Sequence, residues 1–496
     1  MIEANLPILP IVVLLLGALM VPTFGMRNRA AAHPISLGML GLFVIAAFGL
    51  FQKVMDDGIQ HYRLGGWEPP VGIEFVVDLL SAFMLLIIAA IAVLVCVYAR
   101  VAVRKEMPTK EVPFYGVMFI MLLGLSGMVL TGDLFNLYVF FEVSSLGGYA
   151  LMAVGHRKAP VSAFRYLILG TLGASFYLLG VGYLYVLTGS LNMADVASLM
   201  PELVGNPALL LSITLMLGGL GLKMALFPMH LWLPDAYSYA SSTATAIIAP
   251  VMTKVSAYVL LRILFFVYDQ NLVHDILPID GVILWLGLAG VTVGSIMAIA
   301  QKDAKRMLAY SSVSQVAYIA VGIGLANRWA LVAAMLHVLN HAAMKCCLFL
   351  ITGGVFQQTG STRISAYTSL GRKMPWTFAA FAVAALSMVG VPPTNGFFSK
   401  WYLVLGAIDA GQWVVVAIVI ASGLLTGVYF FRMIARIFTN PEAGAPVQEG
   451  ARELPLSQLA PILVLAMALL VLGLFNSWIV NNVLLQALPP ALQLGS

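Results

Sequence analysis

Charge is what this chain has least of. Only 9% of its 496 residues are Asp, Glu, Lys or Arg, while 61% are hydrophobic, and that balance excludes a water-soluble domain. Cysteine is also scarce. Cys96, Cys346 and Cys347 lie in apolar runs without metal-ligand or haem-attachment spacing, so they are expected to be small core residues with no redox role. Flavin, haem and iron–sulfur motifs are missing, and no cofactor is expected. No basic residue precedes the first apolar run, Leu6 to Met20, which therefore reads as a retained helix and not as a cleaved signal.

What the chain does have is a succession of long apolar segments, at about 6–24, 35–54, 75–99, 114–131, 134–154, 162–187, 207–227, 243–267, 281–300, 308–325, 329–355, 375–403, 411–437 and 456–487. A membrane span takes roughly 20 residues, so the segments use up nearly the whole chain. They leave no room for a separate catalytic domain. The expectation is an all-α polytopic membrane protein with about fourteen transmembrane helices. Spans seven and twelve should be broken, because Pro228 with Pro234, and the Pro392-Pro393 pair, interrupt continuous hydrophobicity.

The basic residues test this count independently. Connections after odd-numbered spans carry seventeen Lys and Arg, among them Arg27, Arg104, Lys158, Lys305, Arg363 and Arg436. Those after even-numbered spans carry only Lys53, Arg63 and Arg328, and there Asp56, Asp57, Glu68, Asp195, Glu202, Asp269, Asp275 and Asp409 collect. The net charge of +5 thus reads as membrane orientation and not as affinity for nucleic acid, with both termini expected on the outer side.

Six basic residues fall inside spans, and two of them stand out. Lys223 and Lys254 each have at least seven uncharged residues on either side. A charge at bilayer depth costs about 2.5–3.5 kcal/mol on insertion scales, so it normally faces a polar interior or a partner. Both lysines lie beside helix interruptions: Phe227-Pro228 follows Lys223, and Pro250 precedes Lys254 by one turn and should free the Ala246 carbonyl. Ionisable groups beside broken helices mark ion pathways. Glu142 is the one acidic residue well inside a span, and Lys223 is its obvious partner. The pair reads either as the start of a proton relay toward Lys254 or as a static ion pair that fixes packing.

Span eleven carries His337, His341 and Lys345 at successive spacings of four, a stripe along one helix face. Imidazoles titrate near neutrality and offer two nitrogens, so the stripe suits proton relay. Water-holding histidines and a metal pair are the other readings. The metal reading lacks an acidic or thiolate ligand and is opposed by cationic Lys345, so no metal is expected. Lys400 follows the second break. With Lys223 it suggests inverted five-span repeats, spans four to eight against nine to thirteen. The expected organisation is a three-helix segment at 1–110, half-channels at 111–270 and 271–440, and a C-terminal helix at 441–496. Ser241, Ser242, Thr243, Thr245, Thr253 and Ser256 supply hydroxyls around Lys254.

The sequence resembles the antiporter-like subunits shared by Mrp-type cation/proton antiporters, respiratory complex I and membrane-bound hydrogenases. The motifs that carry the resemblance are TGDLFNLYVFFE at 131–142, GLKMALFPMHLWLPDAYSYA at 221–240, TKVSAYVLLR at 253–262, KRMLAYSSVSQVAYI at 305–319, LNHAAMKCCLF at 339–349 and GVPPTNGFFSKW at 390–401. Within that family the chain looks most like the D-type component of Mrp antiporters. The resemblance implies fourteen helices with two inverted repeats. It also implies that Glu142 pairs with Lys223, that Lys254 is the central relay, that His341 bridges the half-channels and that Lys400 is the terminal exchanger, with His230 in the loop after the first break. Ser241-Ser242 and Ala249-Pro250 depart from the family pattern. The implied function is proton translocation in a sodium/proton antiporter of several membrane subunits, in a prokaryotic cell membrane. A proton-pumping subunit of a complex I-like oxidoreductase or hydrogenase is one alternative, and a standalone channel or uniporter is another.

Overall fold

The computed structural model describes residues 3–268, 278–439 and 450–493. The loop acids Asp269 and Asp275, and the segment boundaries expected near 270 and 440, lie outside the described residues.

Two antiparallel helices, α1 (Leu9–Gly25) and α2 (Arg29–Asp57), open the chain. A hairpin follows that the apolar pattern did not predict: β1 (Gln60–Arg63) pairs antiparallel with β2 (Glu74–Val77). Residues 75–77, assigned to span three, are therefore strand. Phe75 and Val77 are buried, so apolarity runs unbroken into the helix and hides the boundary. The helix α3 (Leu79–Glu106) begins only where Asp78 and Ser81 form a reciprocal capping box.

The membrane helices continue with α4 (Glu111–Leu130), α5 (Leu134–Met152) and α6 (Ala159–Thr188). A short helix, α7 (Met193–Leu203), precedes α8 (Pro207–Met224). At Ala225 the chain turns left-handed, with φ 63°, and helix resumes as α9 (Trp232–Tyr239). Then come α10 (Ser242–Arg262), α11 (Ile279–Ile299), α12 (Ala304–Leu325) and α13 (Arg328–Thr359). The twelfth apolar stretch forms two pieces, α14 (Pro375–Val389) and α15 (Asn395–Asp409), on either side of Pro392-Pro393. The chain closes with α16 (Trp413–Phe438) and α17 (Leu456–Leu474). The last span was expected to reach 487, but its first helix stops at Leu474, and after Phe475 the helical turns start anew at Asn476.

Thirteen spans among the described residues are long and apolar enough to cross a membrane, and the split α14/α15 segment supplies the other expected crossing. Polar caps set where several of them begin: Asp133 accepts from the Asn136 amide at 2.6 Å, Asp303 from Arg306 at 3.0 Å and Asn327 from Ala330 at 2.9 Å.

Burial sorts the helices into a centre and a rim. Of the most apolar window, 94% is buried in each of α10, α12 and α13, against 33% in the first span and 39% in α2. A lipid-facing helix needs no protein cover on its outer side. The three central helices pack on one another, and they carry most of the candidate site.

Candidate functional site

The four lysines inside the apolar segments, Lys223, Lys254, Lys345 and Lys400, are buried in the bundle at no more than 9% exposure. None is in an ion pair among the described residues. Each amine is held by neutral oxygens. Lys223, in the last turn of α8, donates to the Ser145 hydroxyl on α5, and its Nζ lies 4.9, 5.2 and 5.1 Å from the ring centres of Phe141, Tyr149 and Tyr166. Each such face attracts a desolvated cation by about 0.5–2 kcal/mol. Trp232, beyond the helix break, stacks on Tyr166 at 3.7 Å and donates to the Leu222 carbonyl at 3.0 Å. The break thus closes one wall of the lysine's cage.

This arrangement corrects the expected contact between Glu142 and Lys223. The two are electrostatic neighbours, but the amine bonds Ser145, and Glu142 Oε1 is buried without a hydrogen-bond partner. The residue as a whole is half-buried on the rim. Ser145 lies three positions on from Glu142, so it faces Lys223 from the neighbouring stripe of α5.

Lys254 is fully buried at the centre of α10 and curls back on its own helix, donating to the Ala249 carbonyl at 2.7 Å and lying 3.4 Å from Thr253 Oγ1. The acceptor is thus Ala249, the residue just before Pro250. The predicted water-holding hydroxyls divide. Ser241, Thr245 and Ser256 are taken up by backbone, and the Ser242 amide donates to Glu106 on α3 at 2.9 Å. Thr243 Oγ1 is buried and unpartnered.

His341 lies within electrostatic reach of Lys254 and Lys345, and neither of its ring nitrogens has a protein partner. It stacks on His337 at 5.7 Å, and His337 Nδ1 is 2.9 Å from Ser399 on α15. Lys345 leaves this line: its amine turns to the Leu308 carbonyl, at 2.8 Å, and to Ser311 on α12. Lys400, one residue beyond Ser399, reaches back over the proline pair to the carbonyls of Met388 and Val389, at 2.8 and 2.9 Å. These oxygens lie at the open end of α14, where helical carbonyls lack internal partners. His230 lies apart from this series, stacked on Phe227 at 5.5 Å.

Several residues of the interior were not anticipated. Gln315, Asn340, Tyr237 and Tyr429 each place an unpartnered polar atom in the buried interior. Buried polar groups find a partner in nearly every protein, so atoms left open here call for water. Lys305 was counted as a loop charge, yet it is buried in the first turn of α12 and donates to the Ala240 carbonyl at 2.6 Å. With Glu106, Arg306, Asp303 and Tyr239 it lines a cavity of about 670 Å³ that opens on the side of the odd-numbered connections. Its position beside a predicted span end gave no hint of burial. The pairing Arg262–Asp78, at 2.5 Å, closes the opposite end of α10.

Residues 131–426 match the family described as NADH:quinone oxidoreductase/Mrp antiporter, TM. The chain belongs to this family. It is 49% identical to the N-type subunit of the NADH-quinone oxidoreductase of Desulforudis audaxviator, over 98% of this chain and 99% of that protein. It is 32% identical to the D-type subunit of the Na(+)/H(+) antiporter of Alkalihalophilus pseudofirmus, over 85% and 84%. Among solved structures, a chain of the archaeal membrane-bound sulfane sulfur reductase superposes with a TM-score of 0.90 at 29% identity, over 99% of this chain and 98% of that one. The likeness to D-type antiporter components is thus accompanied by a higher identity to an N-type one. Both place the chain among integral membrane subunits of the antiporter type.

Proposed function

We propose that this chain translocates protons through the membrane interior along Glu142, Lys223, Lys254, His341, His337 and Lys400, as one of several membrane subunits of a larger complex. One observation carries the reading: four lysines of the apolar segments rest on neutral oxygens and in no ion pair among the described residues, and the series continues through two histidines with open nitrogens. A lysine paired with a buried carboxylate is locked in its charged form. A lysine on a carbonyl or hydroxyl is free to give up its proton and take another.

The proton enters or leaves by the cavity at Lys305 and Glu106. From Ser242, at the rim of that cavity, to Lys254 is about 18 Å along a helix. That distance is too long for one transfer, and Tyr237 and Thr243 offer the polar atoms between. In this reading residues 111–270 and 271–440 form the two half-channels, spans four to eight and nine to thirteen are inverted repeats, and the odd-numbered connections face the cytoplasm of a prokaryote.

The coupled process is the exchange of a monovalent cation, sodium first, for protons. A line of lysines repels sodium, so this chain carries the proton and the second ion moves through a partner protein. The 49% identity to an oxidoreductase component favours a second reading, in which redox chemistry elsewhere in the complex powers the same relay. Inverted vesicles holding the whole native complex separate them. Proton movement triggered by a sodium or potassium pulse supports exchange. Movement only upon addition of a redox donor assigns the chain to a respiratory complex. Failure of both in intact, assembled complex would overturn the proton-translocating reading.

A further inference from the structure

A second cavity, of about 660 Å³, lies between the C-terminal ends of α11 and α16. Lys302, Arg363, Arg432 and Arg436 line it, with Gln301 and Ser365, and no acidic residue does so among the described residues. Arg432 is fixed in place. Two of its guanidinium nitrogens donate to the Ile299 and Gln301 carbonyls at 2.8 and 2.9 Å, and its Nε is buried with no partner. Lys302, Arg363 and Arg436 are exposed and in no ion pair among the described residues. Basic residues that only orient a membrane protein spread over its loops. Here they converge on one hollow.

The surface leading away from the hollow is of the opposite kind. Leu424, Val428, Arg432 and Arg436 follow one another at spacings of four on α16, which places them along one face. Leu424 is 71% exposed and Val428 53%. Ile296, exposed on α11, belongs to the helix packed alongside. An apolar stripe one or two turns long thus ends in a cluster of cations at the membrane boundary.

We infer that this cavity binds the phosphate of an anionic phospholipid, with its acyl chains lying along α16 over Val428 and Leu424. Guanidinium groups take phosphate oxygens in pairs, and basic hollows between membrane helices suit acidic head groups. The adjoining apolar stripe selects a lipid over free phosphate, which has nothing to place there. The inference does not depend on which process drives the relay.

The test is native mass spectrometry of the purified complex, supplemented with phosphatidylglycerol, with phosphatidylcholine or with inorganic phosphate. Wild type is expected to retain phosphatidylglycerol at least about fivefold over phosphatidylcholine. The double variant Arg363→Gln/Arg436→Gln should lose this preference, retaining the two lipids within about twofold of each other, and Arg27→Gln/Arg29→Gln, at another connection of the same side, should keep it. Equal retention in all three proteins would overturn the site. Displacement of the lipid by millimolar phosphate would overturn the choice of ligand. If the double variant fails to assemble, a photoactivatable phosphatidylglycerol on wild type decides: crosslinks at 296–302 or 424–436 support the site, and crosslinks only elsewhere reject it.

Discussion

The amine of Lys400 donates to the carbonyl of Met388, twelve residues earlier and across the helix break, at 2.8 Å. The break between α14 and α15 therefore does more than shorten a span: it turns backbone oxygens into a holder for a buried cation. Gly390 makes room for this contact. Its φ is +92°, and a Cβ there would lie 3.0 Å from Lys400 Cδ. Gly390→Ala is expected to cost about 1–3 kcal/mol in strain and to slow proton movement in assembled complex. Thermal unfolding and flux measurements on the same preparation check both effects.

Because Lys223 bonds Ser145, its coupling to Glu142 should be weak in the resting protein. In a double-mutant cycle with Glu142→Gln and Lys223→Met, the interaction energy for stability should stay below about 1 kcal/mol, within the range of neighbours not in direct contact. A static ion pair would give several kcal/mol. Flux should nevertheless fall with either single substitution.

The pair Arg262–Asp78 lies off the relay, at the far end of α10. Burial pushes the Asp78 carboxyl up, but the charge and hydrogen bonds of Arg262 outweigh it and hold the carboxyl below its ordinary value. A depressed carboxyl stabilises the fold above the unfolded value and loses that contribution as pH falls through the folded one. Stability from this pair should hold from neutral pH down to about 4 and fade only in stronger acid. Asp78→Asn should cost about 3 kcal/mol at pH 7 by leaving a buried guanidinium unpaired, and Asp78→Asn/Arg262→Met should recover part of it. Thermal unfolding across pH measures each contribution.

Much of this organisation is legible in the chain itself. A lysine among apolar residues announces its burial, and a proline beside it announces the break, so Lys223, Lys254 and Lys400 are readable from local context alone. What holds them is not readable. Ser145 is 78 residues from Lys223, and a serine in a membrane helix carries no mark of its partner. The burial of Lys305 is not readable either, because a basic residue at a span end looks the same whether it faces water or turns inward to Ala240. Gln315 and Asn340 lie in apolar stretches, but they carry no charge whose cost would flag them. In the hairpin, β2 was hidden because buried strand and membrane helix draw on the same apolar residues, and β1, Gln60–Arg63, because its polar, partly exposed residues read as connection.

His341 and His230 should separate cleanly. His341 has two unpartnered nitrogens between lysines, whereas His230, whose Nδ1 is also unpartnered, stacks on Phe227 and has no lysine among its electrostatic neighbours. His341→Phe is expected to keep assembly and slow proton movement about tenfold or more, whereas His230→Phe should leave the rate within about twofold. Flux in reconstituted vesicles, normalised to assembled complex, distinguishes them.

Lys254 tests the account most directly, since it lies at the centre of one of the three most buried helices and, among the described residues, its amine bonds oxygens of its own helix. The measurement is proton flux in liposomes holding the complete complex, wild type against Lys254→Met, with assembly checked on the same sample. The expected result is normal assembly with flux lowered at least about a hundredfold. Wild-type flux through an assembled Lys254→Met complex would contradict the relay and leave the buried lysines as structural residues.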